Sequence, residues 1–266
     1  MRFALGVEYD GAGFCGWQRQ PDVPSVQEAL ESALGGVAGE AVTVTAAGRT
    51  DRGVHASGQV VHFDTQAQRP LSAWVRGANA LLPREVAVLW VQPVPDAFHA
   101  RFCAHSRSYH YLLLNHAVRN ALMAGRWGWY HLPLDLSLMR QGAQRLLGHH
   151  DFSAFRAAEC QAKSPLKTVL HSEVMREGEL LQFSFTADAF LQHMVRNMVG
   201  ALVAVGAGRK PPSWISDLLE SRDRTLGAPT FPADGLYLTG VSYGEEWQLP
   251  ARTTRYDGAF LPPNAD

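Results

Sequence analysis

The residue types best suited to chemistry fall in one stretch, Gly48-Arg49-Thr50-Asp51-Arg52-Gly53-Val54-His55-Ala56-Ser57. A carboxylate between two guanidiniums is expected to keep its charge, and a charged carboxylate serves as a nucleophile or a base. Read between two strands, this is a connection of about ten residues, longer than the usual two to five, and loops of unusual length tend to carry function. The plain alternative is an Asx-type turn or a surface ion pair of little worth. Two other clusters are weaker. His149-His150-Asp151 with Cys160 has metal-ligand residue types but lacks paired spacings such as C-x2-C or H-x3-H, so it reads as a solvated or RNA-facing turn. Gly11-Ala12-Gly13-Phe14-Cys15-Gly16 matches the dinucleotide fingerprint, which requires a helix to open at the glycines. Here Pro21 and Pro24 intervene, so a flexible loop is expected. No metal and no cofactor are expected.

Charge adds a partner class. The chain carries a formal net charge of −1, yet Phe98 to Val169 holds nine Lys/Arg against three acids, and seven of the eleven histidines. Arginine's planar fork suits phosphates and base stacking. A basic belt on a nearly neutral protein fits a local nucleic-acid face. Within it, Tyr109 and Tyr111 share one face of a strand, with His110 opposite; they read as stacking platforms or as core. A later helix carries the apolar stripe Leu191, Val195, Met198, Leu202, Val205, with Arg196 one residue off it. Such an Arg must find an anion or water, and Asp51 is a plausible partner. His62 reads as a satisfied sheet residue.

The elements that must position these residues come in a repeated order. Strands are expected at Phe3–Tyr9, Ala41–Ala47, Gly58–Asp64 and Val86–Val91. Helices are expected from Ser25, with Glu28 completing a capping box, to about Leu34, and at Leu71–Leu82. The second pass gives a strand at Tyr109–Asn115, a helix at Leu136–Leu147, and a hairpin of Thr168–Arg176 with Leu180–Thr186 around Glu177-Gly178. Helices at Ala189–Val205 and Ser213–Leu219 and a strand at Leu236–Tyr243 complete it. The fold class is α+β: two ferredoxin-like β-α-β-β-α-β halves with antiparallel sheets, joined around a central RNA-binding cleft. The expected boundaries are 1–105, 106–245 and a tail at 246–266.

No run of apolar residues is long enough for a membrane span, and the N-terminal residues lack a secretory pattern. Three cysteines, Cys15, Cys103 and Cys160, are too few for a disulfide framework. A cytoplasmic protein without membrane contact is expected. These readings leave three functions open: an Asp-dependent RNA enzyme, a non-catalytic RNA-binding protein or RNA chaperone, and, remotely, a dinucleotide-dependent oxidoreductase.

Several separated motifs together resemble the tRNA pseudouridine synthase A family. They are Tyr9-Asp10-Gly11 with Phe14-Cys15-Gly16-Trp17-Gln18, Ala47 to Ala56, Phe98-His99-Ala100-Arg101-Phe102, Tyr109-His110-Tyr111, and Phe190-Leu191-Gln192-His193-Met194-Val195-Arg196-Asn197. The resemblance spans residues 1 to 245. It implies cofactor-free isomerisation of uridine to pseudouridine at positions 38 to 40 of the tRNA anticodon stem-loop by a homodimer. By position, it implies that Asp51 is the catalytic aspartate, Arg49 a neighbouring tRNA contact, and Arg196 the basic residue paired with the aspartate. It implies that Tyr109 stacks on the target base and removes its C5 proton. It places Arg69, Phe98, His99, Ala100, Arg101, Phe102, Tyr130, and Cys160, Gln161, Ala162, Lys163 and Ser164 at RNA contacts. Arg52 stands where many members carry Ala or Lys, and Ala117 replaces a basic residue expected after Asn115-His116.

Overall fold

Phe3, Leu5, Val7 and Tyr9 alternate along the first strand and all are buried, and Ala4 and Gly6 between them are buried too, so both faces of the strand are covered. In the computed structural model, which describes residues 1–250, this strand is β1, Arg2–Tyr9. The described residues divide into two compact units: Met1–His105 with 237–250, and Ser106–Leu236.

In the first unit β1 is followed by α1 (Val26–Ala38), β2 (Val44–Ala46), β3 (His55–Asp64), α2 (Leu71–Leu81) and β4 (Val86–Val94). The Ser25 hydroxyl accepts from the Glu28 N–H at 3.3 Å and starts α1; Gly39, at φ 76°, ends it. β1 lies antiparallel between β3 and β4. Leu30 and Leu34 of α1 and Trp74 and Ala78 of α2 are fully buried with Leu5 and Phe63 of the sheet.

The second unit runs β5 (Ala104–Asn115, of which Ser106 onward belongs here), β6 (Gly128–Tyr130), α3 (Leu136–Gln144), β7 (Gly148–Asp151), β8 (Leu166–Glu177), β9 (Leu180–Ala187), α4 (Met194–Gly206) and α5 (Trp214–Ser221). Its strand order is β5-β9-β8-β7, antiparallel throughout, with β6 parallel to the end of β5. Tyr111, Phe183, Phe185 and Val174 bury one face of this sheet, and α4 contributes Met194, Met198 and Leu202 to the core.

The last strand, β10 (Leu236–Tyr243), departs from the sequence reading, which gave it to the second half. From Tyr237 it belongs to the first unit, where Tyr237 and Leu238 pair in parallel with His55 and Ala56 of β3. Where the expected tail begins, Glu245–Trp247 form a 3-10 turn and the Trp247 ring packs 5.3 Å from Phe98; residues 251–266 lie outside the described residues. β6 and β7 had no expectation behind them. Among the described residues no helix is long and apolar enough to cross a membrane.

Ser25→Ala removes the α1 cap and should cost about 1 kcal/mol of stability. A urea titration of the intact chain checks this, as a lower midpoint with an unchanged slope.

Candidate active site

The Asp51 loop is shorter than its sequence suggests, because pairing with β1 and β10 extends β3 back to His55. It occupies residues 47–54, and buried groups on both sides fix its backbone. The Gln59 side-chain amide donates to the Gly48 carbonyl at 2.7 Å. The Trp17 N–H donates to the Thr50 carbonyl at 2.9 Å, and the Thr50 hydroxyl lies 2.8 Å from the Tyr9 hydroxyl. Burial pushes the Tyr9 phenol up to about 12, with the Thr50 bond opposing the rise, so Tyr9 stays protonated and able to bond. The Asp51 carbonyl accepts from the Val54 N–H at 3.1 Å, closing a turn that puts Gly53 at φ 79°. Thr50 is buried, Asp51 is half-buried, and Arg49 and Arg52 are exposed.

The glycines of the Gly11–Gly16 stretch serve this loop. A Cβ on Gly11 would sit 2.0 Å from the Val54 carbonyl oxygen, and one on Gly16, at φ 92°, 2.9 Å from the Thr50 carbonyl oxygen. Only glycine allows two backbone segments to approach so closely. Gly11–Gly13 form a 3-10 turn capped by Asp10, and α1 starts only at Val26, whose N–H donates to the Gly16 carbonyl at 3.3 Å. The Gly11 N–H donates to His55 Nδ1 at 3.0 Å, and Asp10 Oδ1 lies 3.1 Å from the same nitrogen. The His55 ring stacks on Tyr237 at 4.6 Å.

Residues 98–103 form a second fixed loop of the first unit. Phe98 and Ala100 are fully buried, so their side chains anchor the loop and do not face solvent. The Ala100 N–H donates to His62 Nδ1 at 3.1 Å, and the Tyr243 hydroxyl donates to the Ala100 carbonyl at 2.6 Å. The N–H groups of Arg101 and Phe102 donate to His99 Nδ1 at 3.2 and 3.3 Å. Both imidazoles therefore accept at Nδ1 and are neutral. Burial, then Arg2 and His99, drive His62 down to about 4; burial and then Arg2 also lower His99. What the loop presents is Phe102, 76% exposed, stacked at 4.2 Å on His99, with the Arg101 guanidinium 5.6 Å from its ring centroid. Arg69, exposed, donates from Nε to the Val37 carbonyl at 3.1 Å, at the end of α1.

In the second unit Tyr109 and Tyr111 share the core-facing side of β5. Tyr109 is buried edge-to-face against Phe190, with ring centroids 5.0 Å apart. His110, on the other face, is pushed down to about 4, mainly by burial and further by His171. α4 begins at Met194, not Ala189, because His193 takes the left-handed φ of 62° that stops a helix from running through it. Arg196 thus stands in the first turn, where its Nε donates to the Phe231 carbonyl at 2.7 Å. Tyr130 ends β6, half-buried beneath the Arg209 guanidinium. In the 160–164 segment Cys160 is buried, whereas Gln161, Lys163 and Ser164 are exposed and Ala162 is half-buried. Arg156 donates to the carbonyls of Cys160 and Ala162. Burial works against the Cys160 thiolate, but N–H groups of Ala162 and Gln192 and the Arg156 charge bring the thiol below its ordinary value. The expected turn at His149–Asp151 is the edge strand β7, with His149 bonded to Thr168 and His150 to the Leu147 carbonyl. Among the described residues no group of three or more His, Cys, Asp or Glu could hold a metal ion.

Residues 6–103 and 143–244 match the family model described as tRNA pseudouridine synthase. The chain belongs to that family. It is 62% identical over 94% of its length to the tRNA pseudouridine synthase A of Methylobacillus flagellatus, covering 96% of that protein. Against the proteins of the same name from Thiobacillus denitrificans and Chromobacterium violaceum the figures are 57% over 96% and 60% over 95%, covering 98% and 97% of them. Among solved structures, an H/ACA RNP bound to a substrate RNA containing 2′-deoxyuridine matches 76% of this chain and 53% of its own at 10% identity, with a TM-score of 0.30, too distant for comparing sites. At this level of kinship to named synthases, the protein is an isomerase. The sequence reading missed Tyr9, Trp17 and Gln59 as supports of the loop, since their contacts are made only in three dimensions.

His62 and His110 have folded values well below the ordinary 6.5, so the unfolded chain takes up their protons first. The stability they contribute is fully present above about pH 6.5 and is lost as the pH drops from there towards 4. Urea midpoints measured between pH 7 and 5 should fall, and His62→Asn should reduce the size of that fall.

Proposed function

We propose that the protein isomerises uridine to pseudouridine at positions 38 to 40 of the tRNA anticodon stem-loop, acting in the cytoplasm as a homodimer without a cofactor. One observation carries the reading: Asp51 is half-buried on a loop immobilised through its neighbour Thr50, in a chain more than half identical to named tRNA pseudouridine synthases. The reaction breaks the N1–C1′ bond, turns the uracil, and forms a C5–C1′ bond, after which C5 gives up its proton and N1 carries one. Asp51 supplies the carboxylate that attacks C1′ or assists a glycal route. Tyr109 stacks on the target base and takes the C5 proton, and Arg196 is the basic partner residue of the family. A uridine within a stem must first be flipped out, at a cost of on the order of a few kcal/mol, offset by stacking and backbone contacts. Arg49, Arg69, Arg101 and Lys163 supply the cationic contacts, so tRNA affinity falls as salt rises. The exposed Phe102 ring, backed by His99, offers a stacking surface.

The test uses purified protein and unmodified tRNA, with pseudouridine read by CMC labelling and primer extension. The wild-type chain should give stops at positions 38 to 40, and Asp51→Asn should bind tRNA near normally yet give none. Product from Asp51→Asn, or tRNA binding without isomerisation by the wild type, overturns the proposal.

A further inference from the structure

Between the 3-10 turn Arg224–Leu226 and β10, residues 227–235 run as a strap with neither helix nor strand. Its place is therefore set by side chains and tight contacts. Phe231 is tied to Arg196 twice: its carbonyl accepts from Arg196 Nε at 2.7 Å, and its N–H donates to the Arg196 carbonyl at 3.3 Å. The next residue of α4, Asn197, is buried and closes a triangle with the strap. Asn197 Oδ1 accepts from Arg224 Nη2 at 3.0 Å and from the Thr230 hydroxyl at 2.7 Å. The Thr230 oxygen accepts in turn from Arg224 Nη2 at 3.1 Å. Asn197 Nδ2 donates to the Phe155 carbonyl at 2.8 Å, so the amide cannot turn without losing a partner at each end. The strap also lies on α4 at a distance only glycine permits, since a Cβ on Gly200 would come within 2.5 Å of the Pro229 carbonyl oxygen. From its other side the buried Tyr111 hydroxyl donates to the Pro232 carbonyl at 3.0 Å.

We infer that Asn197, Arg224 and Thr230 are positioning residues for Arg196, fixing the strap so that the Phe231 carbonyl sets the direction of the guanidinium. This rests on the proposed role of Arg196 in the isomerisation. Arginine loses much rotational freedom when it is held in one geometry. A carbonyl fixed beforehand has already met that cost when substrate arrives. The triangle acts on turnover through Arg196 and touches no nucleotide.

Thr230→Val keeps the shape and deletes the hydroxyl, and Thr230→Ser keeps it. The first readout needs no catalysis: solvent exchange of the Arg196 Nε–H, followed by NMR in the full chain. It should be slow in the wild type and Thr230→Ser, and clearly faster in Thr230→Val. The second is single-turnover pseudouridine formation on tRNA, which should fall about tenfold in Thr230→Val with tRNA Kd changed less than about twofold, and recover in Thr230→Ser. In an Arg196→Lys background, which has no Nε to hold, the same substitution should lower the rate less than about twofold. Unchanged exchange in Thr230→Val, or an equal rate loss in both backgrounds, overturns the inference. A wild-type chain that forms no pseudouridine refutes the proposed function instead, and the exchange comparison still decides whether the strap holds Arg196.

Discussion

The buried contact between the Tyr9 and Thr50 hydroxyls, together with the Trp17 N–H on the Thr50 carbonyl, fixes the residue immediately before Asp51. A carboxylate on a loop of this length would otherwise sample many positions, and under the proposed function each unproductive one lowers the rate. Because Thr50 is held from β1 and from the segment ahead of α1, the sheet itself determines where Asp51 stands. The close approach of Gly11 and Gly16 to the loop backbone follows from the same constraint.

The same device recurs along the chain. Irregular backbone is held by a hydrogen-bonding side chain, while the charged or aromatic group beside it stays half-buried or exposed. The buried His62 and the half-buried His99 accept from the N–H groups of Ala100, Arg101 and Phe102, and the buried Asn197 holds the strap beside Arg196 through the Thr230 hydroxyl. Thr50, His62 and Asn197 are interior and neutral, so their desolvation cost is met by hydrogen bonds. Where the supporting group is an imidazole, acid removes the acceptor, which ties the loop's integrity to pH.

Much of this was readable from residue order alone. β1, α1 with its Ser25 cap, α2 and the β8–β9 hairpin fall close to where alternation, capping and turn residues put them. Asp51 stood out because a carboxylate beside arginines on a long loop suits a nucleophile or base, but the same residues also suit an Asx turn or a surface ion pair, and only the resemblance singled out the first. The start of α4 was misplaced because the helical apolar spacing continues through Leu191, while nothing in the residue types marks His193 for a left-handed φ. β6 and β7, at three and four residues, are too short to show a period. β10 changed halves because a strand's alternation does not name its neighbour. The strap was invisible for a further reason: Arg224, Thr230 and Asn197 meet only after α4 and the turn have folded.

The central claim is that the Thr50 anchor places Asp51 for the reaction. Tyr9→Phe removes one hydroxyl from that anchor and leaves the ring in the core. Measured as single-turnover pseudouridine formation on unmodified tRNA, with tRNA binding measured alongside, the variant should lose about tenfold in rate while affinity is retained. A wild-type rate from a folded Tyr9→Phe chain would contradict the account.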